Sequence, residues 1–202
     1  MYNKYLILTL SFFSLIIILP FIGIFSKLNF DFYSLLVFIN NTYILKIIYF
    51  TFYQAFFSAV LSCLIAIPFA LALNRHKNLK IVRYLVSICG FSFVIPSILI
   101  VYAVIKLFGI NGFYNNYFNF YELFGINSIY GLKAILISHI LLNAPFATRL
   151  FFQNLDNIPN KYYEISSSLN LTFFGNIIKL EIPIIKQNLF SVFSIIFSLC
   201  FL

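Results

Sequence analysis

Only a handful of side chains in this sequence have the chemistry of a metal ligand or a nucleophile. There are two histidines, His76 and His139, and three cysteines, Cys63, Cys89 and Cys200. Imidazoles and thiolates bind zinc and act as bases and nucleophiles when they converge on one site. Each cysteine lies inside an apolar run without metal-ligand or redox spacing, and the histidines have different surroundings, one basic and polar, one apolar. The sequence therefore predicts no metal and no cofactor.

The motifs that build catalytic sites are also missing from the sequence. It contains no H-E-x-x-H zinc motif, no Ser/His pairing and no paired carboxylates within its apolar runs. It also lacks the G-x-x-x-x-G-K-[ST] loop that cradles nucleotide phosphates. We therefore expect a protein that is not an enzyme.

Three polar side chains stand out because they lie inside apolar runs. They are Gln54, His139 and Asn143, of which the last two are one helical turn apart. Polar groups in apolar helices either line a solute path or form hydrogen bonds across a helix interface. Both interpretations stay open for these three residues.

The composition indicates that helices of this kind would lie in a membrane. The 202 residues are 62% hydrophobic and 9% charged, and the mean hydropathy is +1.00. Soluble domains are about half apolar and a quarter charged, so a soluble globule, a disordered tail and a disulfide scaffold are excluded. The net charge of +8 comes from scattered basic residues, which predicts contact with membrane lipid and no nucleic-acid partner. We expect an all-α, polytopic membrane helix bundle.

Five apolar runs are predicted as spans: residues 6–25, 50–73, 85–105, 129–152 and 189–202. The first is interpreted as an uncleaved helix, because it exceeds the apolar part of a signal peptide and no clear cleavage site follows. Pro96 near the middle of the third run predicts a kink. The last run has too few residues to cross the bilayer, so we expect the chain to stop inside its fifth span.

The basic residues predict the orientation by the positive-inside rule. A cytoplasmic N-terminus puts most of them inside: Lys4, Arg75, Lys77, Lys80, Arg83, Arg149, Lys161, Lys179 and Lys186. Fewer lie outside or near that interface: Lys27, Lys46, Lys106 and Lys133. The polar, aromatic loop at residues 111–127 has no basic residue and is predicted to be external.

Residues 153–188 form a predicted cytoplasmic segment with two short helices. Asn157 and Pro159 indicate the start of the first helix. Its apolar stripe, Tyr162, Ile165 and Leu169, is expected to rest on the bilayer or on the ends of the spans. The segment is either an interfacial anchor or a platform for a cytoplasmic partner.

Two residues predict how these short helices end and begin. Asn170 follows the last apolar position, where a left-handed residue is expected. Thr172 is expected to cap a second helix that runs towards Pro183.

This segment resembles a motif of bacterial ABC importer permeases, which begins with E-A-A and has a glycine six residues after the glutamate and a proline further on. Here the stretch reads Glu164-Ile165-Ser166-Ser167-Ser168-Leu169-Asn170, followed by Leu180-Glu181-Ile182-Pro183. The glutamate, the leucine and the proline match. Ile165 and Ser166 replace the alanines, and Asn170 replaces the glycine.

Flanking stretches are similar to the thiamine-importing branch of these permeases. They are Tyr53–Ala59, Ser138–Ile140, Asn143–Leu150 and Gln153–Pro159, and the similarity runs from Tyr43 to Leu202. Permeases for ferric iron share the same double-length architecture and are the alternative, together with a non-functional truncated remnant. The resemblance covers most of the N-terminal half of such a permease.

The resemblance implies a MetI-like, type I importer permease in the bacterial inner membrane, importing thiamine or its phosphates. It implies a separate ATP-binding cassette subunit, a periplasmic solute-binding protein and a second permease half that the chain lacks. Coupling to the ATP-binding subunit would involve Glu164, Ser166, Ser167, Leu169, Asn170 and Pro183. The alternative role for Glu164 is a solvated charge that pairs with Lys161. Gln54, His139 and Asn143 remain the pathway or interhelix residues.

Overall fold

The predicted all-helical membrane architecture is confirmed by a computed structural model, which describes residues 2–27, 37, 40–92, 94–124 and 128–201. These residues contain helices and turns and no strand. The helices are α1 (Tyr2–Lys27), α2 (Thr42–Arg75), α3 (Lys80–Phe91), α4 (Ser97–Phe108), α5 (Phe113–Phe118), α6 (Phe120–Phe124), α7 (Leu132–Asp156), α8 (Asn160–Ser168), α9 (Phe173–Asn176) and α10 (Ile182–Phe201). A π-helical turn, Ile177–Glu181, joins α9 to α10.

Within the described residues, five helical stretches are long and apolar enough to cross a membrane. They are Leu6–Lys27, Thr42–Arg75, Ser97–Phe118, Leu132–Asp156 and Phe173–Phe201. The chain divides into two compact units, residues 1–48 and 49–202, which are described separately. In the first unit, α1 is a continuous 26-residue helix that contains the predicted first span.

The core of the second unit forms along one face of α2. Small side chains recur on this face at intervals of three or four residues, including Ala55, Ala59, Ser62, Ala66 and Ala70, and all of them are buried. Small residues at this spacing let neighbouring helices approach closely, which is the main source of attraction between helices in lipid.

Helices α7 and α10 complete this core. Phe151 and Leu155 of α7 and Ile196 of α10 are completely buried and belong to the same cluster. Helix α7 also packs against α3 and α4. Many large apolar side chains elsewhere on the second unit are exposed, as expected for helix faces that contact lipid.

The region of the predicted third span differs from the expectation of one kinked helix. Helix α3 ends at Phe91, and α4 begins at Ser97 with Pro96 as its N-cap residue. Proline cannot donate a backbone hydrogen bond, and it disfavours helical geometry at the residue before it. The proline therefore separates two 12-residue helices. Phe93 lies outside the described residues.

The last helix also differs from the expectation, because it begins before the predicted run at 189–202. Helix α10 has 20 residues, and at about 1.5 Å per residue it is long enough to cross the hydrocarbon core. Pro183 is its second residue, directly after the π-helical turn. The missing N–H of Pro183 explains a wider turn here, in which Ile182 donates to the carbonyl of Ile177.

The loop predicted to be external contains two short helices, α5 and α6. Asn119 lies between them in a left-handed conformation, with φ at 47°. Residues 125–127, at the end of this loop, lie outside the described residues, as does Leu202 at the end of the last predicted span.

Candidate functional site

Helix α8 is the short helix predicted after Pro159. It begins at Asn160, and Pro159 is its N-cap residue. Asn157, which the sequence assigned to the start of this helix, instead terminates α7, where its N–H donates to the carbonyl of Gln153. The two helices are therefore joined by a turn of only a few residues.

The predicted left-handed residue at the end of α8 is confirmed. Asn170 has φ at 50°. Its N–H donates to the carbonyl of Ser167 at 3.0 Å, and the N–H of Leu171 donates to the carbonyl of Ser166 at 3.0 Å. These two bonds form a Schellman motif, which satisfies carbonyls that would otherwise lack partners at the helix end.

The predicted cap of the next helix is confirmed as well. The Thr172 hydroxyl accepts a hydrogen bond from the N–H of Gly175 at 3.2 Å. Helix α9 is only four residues long and leads through the π-helical turn into α10. The second predicted short helix is thus the first part of a longer helical segment.

The exposure of α8 excludes one of the two positions expected for its apolar stripe and leaves the other, contact with the bilayer, open. Tyr162, Ile165 and Leu169 are 55%, 48% and 67% exposed, so the apolar stripe does not pack on the ends of the spans. The buried face instead contains Ser166, whose hydroxyl donates to the carbonyl of Tyr163 at 2.9 Å. A short polar face therefore contacts the bundle, and the apolar stripe is free for lipid or a partner.

Glu164 lies on the exposed part of α8. Its backbone carbonyl accepts hydrogen bonds from the hydroxyls of Ser167, at 2.7 Å, and Ser168, at 3.0 Å. Ion pairs in the described part of the chain join Arg75 to Glu181 and Lys77 to Asp156, and none joins Glu164 to Lys161. The Glu164 carboxylate is accordingly available at the surface.

A buried carboxylate that the sequence analysis did not single out lies beside α8. Glu181 is completely buried, and its Oε2 lies 2.8 Å from Nη2 of Arg75 at the end of α2. The Tyr163 hydroxyl donates to the other carboxylate oxygen, Oε1, at 3.2 Å. One carboxylate, on the last residue of the π-helical turn, thus connects α2, α8 and the segment that leads into α10.

Two further contacts extend this polar cluster. The Asn74 side-chain amide donates to the Tyr163 hydroxyl at 3.1 Å, and the Arg75 guanidinium lies 4.5 Å from the centre of the Phe173 ring. Burial raises the pKa of the Tyr163 phenol; the hydrogen bond from Asn74 opposes this rise, and the Glu181 carboxylate adds to it. Tyr163 is therefore neutral and able to donate at physiological pH.

The sequence offered one weak signal for this cluster. Glu181 is one of only five acidic residues, and it lies in an apolar stretch where an unpaired charge is costly. Arg75 was interpreted only as a charge that orients the chain. Arg75 and Glu181 are 106 residues apart, and the periodicity of apolar residues along one helix cannot predict a pair between two distant segments.

An open cleft of about 550 Å³ brings the cluster and Glu164 together. Its lining comprises Asn74, Arg75, Lys77, Asn78, Asn160, Tyr163, Glu164, Ser167 and Glu181. The cleft contains both basic and acidic groups and lies where α8 meets the end of α2. A charged segment of a partner protein would find complementary groups here.

The structure also brings together Gln54, His139 and Asn143, around a second cavity of about 430 Å³. The side-chain amide of Gln54 donates to the backbone carbonyl of Cys200 at 2.9 Å, and that of Asn143 donates to the Cys200 sulfur at 3.1 Å. Both residues therefore form interhelix hydrogen bonds and also line the cavity.

Several polar atoms around this cavity have no protein partner. They are Oε1 of Gln54, Oγ of Ser138 and Nδ1 of His139. Because a carbonyl only accepts, the Gln54 amino group must face Cys200, which leaves the Gln54 oxygen as a free acceptor. Among the described residues, no group of three potential ligands is placed to hold a metal ion. These three atoms are buried, so each is a polar group of the cavity wall whose hydrogen-bonding capacity the protein itself does not use.

The sequence of this helix bundle is similar to those of named transport permeases. No family model matches the chain. It is 32% identical over 162 residues to the thiamine transport system permease protein ThiP of Haemophilus influenzae, and 30% identical over 165 residues to that of Escherichia coli. The chain is a homologue of transport permeases. Together with the five span-length helices of the described residues, this similarity supports a multi-pass membrane protein.

The extent of the match is as informative as its strength. Each of these alignments covers 80% of this chain but 30% of the relative, so the chain spans about a third of the permeases it matches. A probable transport system permease protein, NifC of Clostridium pasteurianum, is 24% identical over 147 residues, which is 73% of this chain and 50% of NifC. The similarity thus extends to a shorter permease.

Proposed function

We propose that the chain is part of the membrane permease of a binding-protein-dependent ABC importer for thiamine or its phosphates. The observation that carries this proposal is the 32% and 30% identity to proteins named thiamine transport permeases over 80% of the chain. The five span-length helices and the cavity lined by polar side chains support it. Thiamine is favoured over ferric iron because these relatives bear that name.

The proposed mechanism assigns ATP hydrolysis to a separate ATP-binding subunit that docks on α8. Glu164, Ser167 and Leu169 lie on exposed parts of this segment, and Asn170 fixes the turn that ends it. Ser166 and Pro183 act indirectly: Ser166 belongs to the face that packs on the bundle, and Pro183 begins α10. Movement of the docked helix would tilt the spans and alternate access across the membrane.

The proposed orientation puts α8 and the N-terminus in the cytoplasm. Tyr163 contacts Asn74, so α8 lies at the end of the bundle where α2 ends. That end also carries Arg75, Lys77 and Lys80, and basic residues concentrate on the cytoplasmic side. A periplasmic binding protein would then deliver the solute to the opposite side.

The cavity near Cys200 is the proposed part of the solute path within this chain. Gln54, Ser138 and His139 line it and carry buried polar atoms without a protein partner, which a small side-chain rearrangement would offer to a solute in place of water. The remaining wall of the path would come from permease segments equivalent to those that the relatives have beyond the aligned part.

Uptake of labelled solute tests the proposal. The gene, with the coding sequence that adjoins it and its partner subunits, is expressed in a bacterial strain that lacks its own thiamine importer. We expect uptake of thiamine that depends on ATP and on the binding protein. Ferric iron is measured in parallel, and iron uptake without thiamine uptake would move the assignment to the iron permeases. Uptake of neither solute would contradict the importer function proposed for both branches.

A further inference from the structure

Glu181 is the most constrained charge in the described part of the chain. Its side chain is completely buried, whereas the side chain of its partner Arg75 is 21% exposed. A buried carboxylate is stable only when charged and hydrogen-bonding partners replace water on both of its oxygens. Here Arg75 donates a hydrogen bond to Oε2, and Tyr163 donates one to Oε1. Loss of either contact leaves a buried oxygen without a partner.

Tyr163 is the member of this cluster that belongs to α8. Its hydroxyl donates to Glu181 and accepts from Asn74, so one oxygen joins α8 both to the π-helical turn that leads into α10 and to α2. The hydroxyl of Ser166, the other buried polar group of α8, is used within the helix itself. The polar connection of α8 to the spans therefore depends on the Tyr163 hydroxyl.

The geometry makes this connection sensitive to small displacements. The bond from Tyr163 to Glu181 is already 3.2 Å long, and a hydrogen bond is lost beyond about 3.5 Å. A movement of α8 by less than an ångström away from the π-helical turn would break it and leave Oε1 of Glu181 without its partner. Glu164, the neighbouring residue, lines the same cleft, where a docked partner would act.

We infer that the Tyr163 hydroxyl is a positioning group that transmits the displacement of α8 to the spans through the buried Arg75–Glu181 pair. This inference rests on the proposed function for its transport consequence, although the physical connection is a property of this chain alone. Tyr163 touches no solute. It acts by fixing where α8 lies relative to α2 and α10.

The first test measures the connection itself. The full chain is placed in lipid nanodiscs, and hydrogen exchange of the backbone amides is followed by mass spectrometry. In Tyr163→Phe, which removes only the hydroxyl, we expect peptides of α8 to exchange about tenfold faster, as expected when a hydrogen bond to a charged group is lost. Tyr162→Phe is the matched control, because that neighbouring side chain is exposed. Unchanged exchange in Tyr163→Phe overturns the inference.

The second test measures coupling in the assembled transporter. We expect Tyr163→Phe to retain the ATP-binding subunit and its hydrolysis, but to move about tenfold less solute for each ATP hydrolysed. Tyr162→Phe should keep the wild-type ratio. A wild-type ratio in Tyr163→Phe contradicts transmission through this hydroxyl, even if α8 exchanges faster. A wild-type transporter that moves neither thiamine nor iron contradicts the proposed function instead, and the exchange experiment still decides whether the connection exists.

Discussion

The side-chain amide of Gln54 donates a hydrogen bond to the backbone carbonyl of Cys200, 2.9 Å away and 146 residues further along the chain. Cys200 belongs to α10, and Gln54 belongs to α2. The bond therefore links α2 directly to α10 inside the buried part of the second unit. At the end of α2, Arg75 pairs with Glu181, the last residue of the π-helical turn before α10.

Removal of the Gln54 amide should weaken the contact between α2 and α10. We expect Gln54→Leu to lower the free energy of unfolding in detergent or lipid by about 1 kcal/mol, the usual size of an interhelix hydrogen bond in membranes. Uptake should also fall, since the free acceptor of the cavity is lost. Leu64→Ala, on an exposed face of the same helix, is the control. A larger effect in the control would show that Gln54 has no special role.

The buried ion pair should respond differently to single and double substitution. Glu181→Ala leaves the Arg75 guanidinium without its partner, and we expect a loss of about 3–5 kcal/mol in the free energy of unfolding. The double variant Arg75→Met/Glu181→Leu should be less damaged, because neither charge remains buried. Denaturant titration in micelles measures both. Equal losses in the single and double variants would contradict the buried-charge explanation.

A second, more exposed ion pair in the same region should contribute much less to stability than the Arg75–Glu181 pair. Lys77 and Asp156 form an ion pair at 3.2 Å, but the Asp156 side chain is 52% exposed. Lys77→Ala should therefore cost well under 1 kcal/mol, since water screens exposed pairs.

The turn after α8 should tolerate glycine and reject β-branched residues. Asn170 has a positive φ, which glycine adopts freely and valine adopts only with strain of about 1–2 kcal/mol. We expect Asn170→Gly to bind the ATP-binding subunit like wild type and Asn170→Val to bind it more weakly. Co-purification from membranes measures this. Wild-type binding by Asn170→Val would mean that the turn does not define the docking surface.

Glu164 should contribute directly to docking. A charged hydrogen bond in a groove contributes about 1.5–3 kcal/mol, so Glu164→Ala should bind the ATP-binding subunit about ten- to a hundredfold more weakly. Insertion into the membrane should be unaffected. Lys161→Ala is the control on the same helix. If both variants bind equally well, α8 is an interfacial anchor rather than a docking helix.

The proposed orientation can be checked with accessible tags. A tag after Asn78, in the turn between α2 and α3, should react with a membrane-impermeant reagent only after the cells are opened. A tag after Asn116, in α5, should react in intact cells whose outer membrane has been made permeable. Labelling of the Asn78 tag in intact cells would reverse the orientation and place α8 outside.

The sequence alone determined the class of this protein and its local helix signals. An apolar run of about 20 residues has few alternatives to a membrane helix, because each backbone group must be satisfied within the segment. The left-handed Asn170 and the cap at Thr172 were predictable for a related reason: their hydrogen bonds reach only three to five residues along the chain. The resemblance to permeases came from similarly local stretches.

The tertiary structure decided which face of α8 is buried, where Pro96 breaks the chain and which polar groups meet. Tyr162 and Ile165 have the spacing of a buried stripe, yet Tyr163 faces the bundle because Glu181 requires a second hydrogen-bond donor there. The partners of Gln54 and Glu181 lie more than a hundred residues away, and helix periodicity describes only neighbours along one helix. Packing of small residues on α2 brings these groups within hydrogen-bonding distance, and only the folded bundle determines that packing.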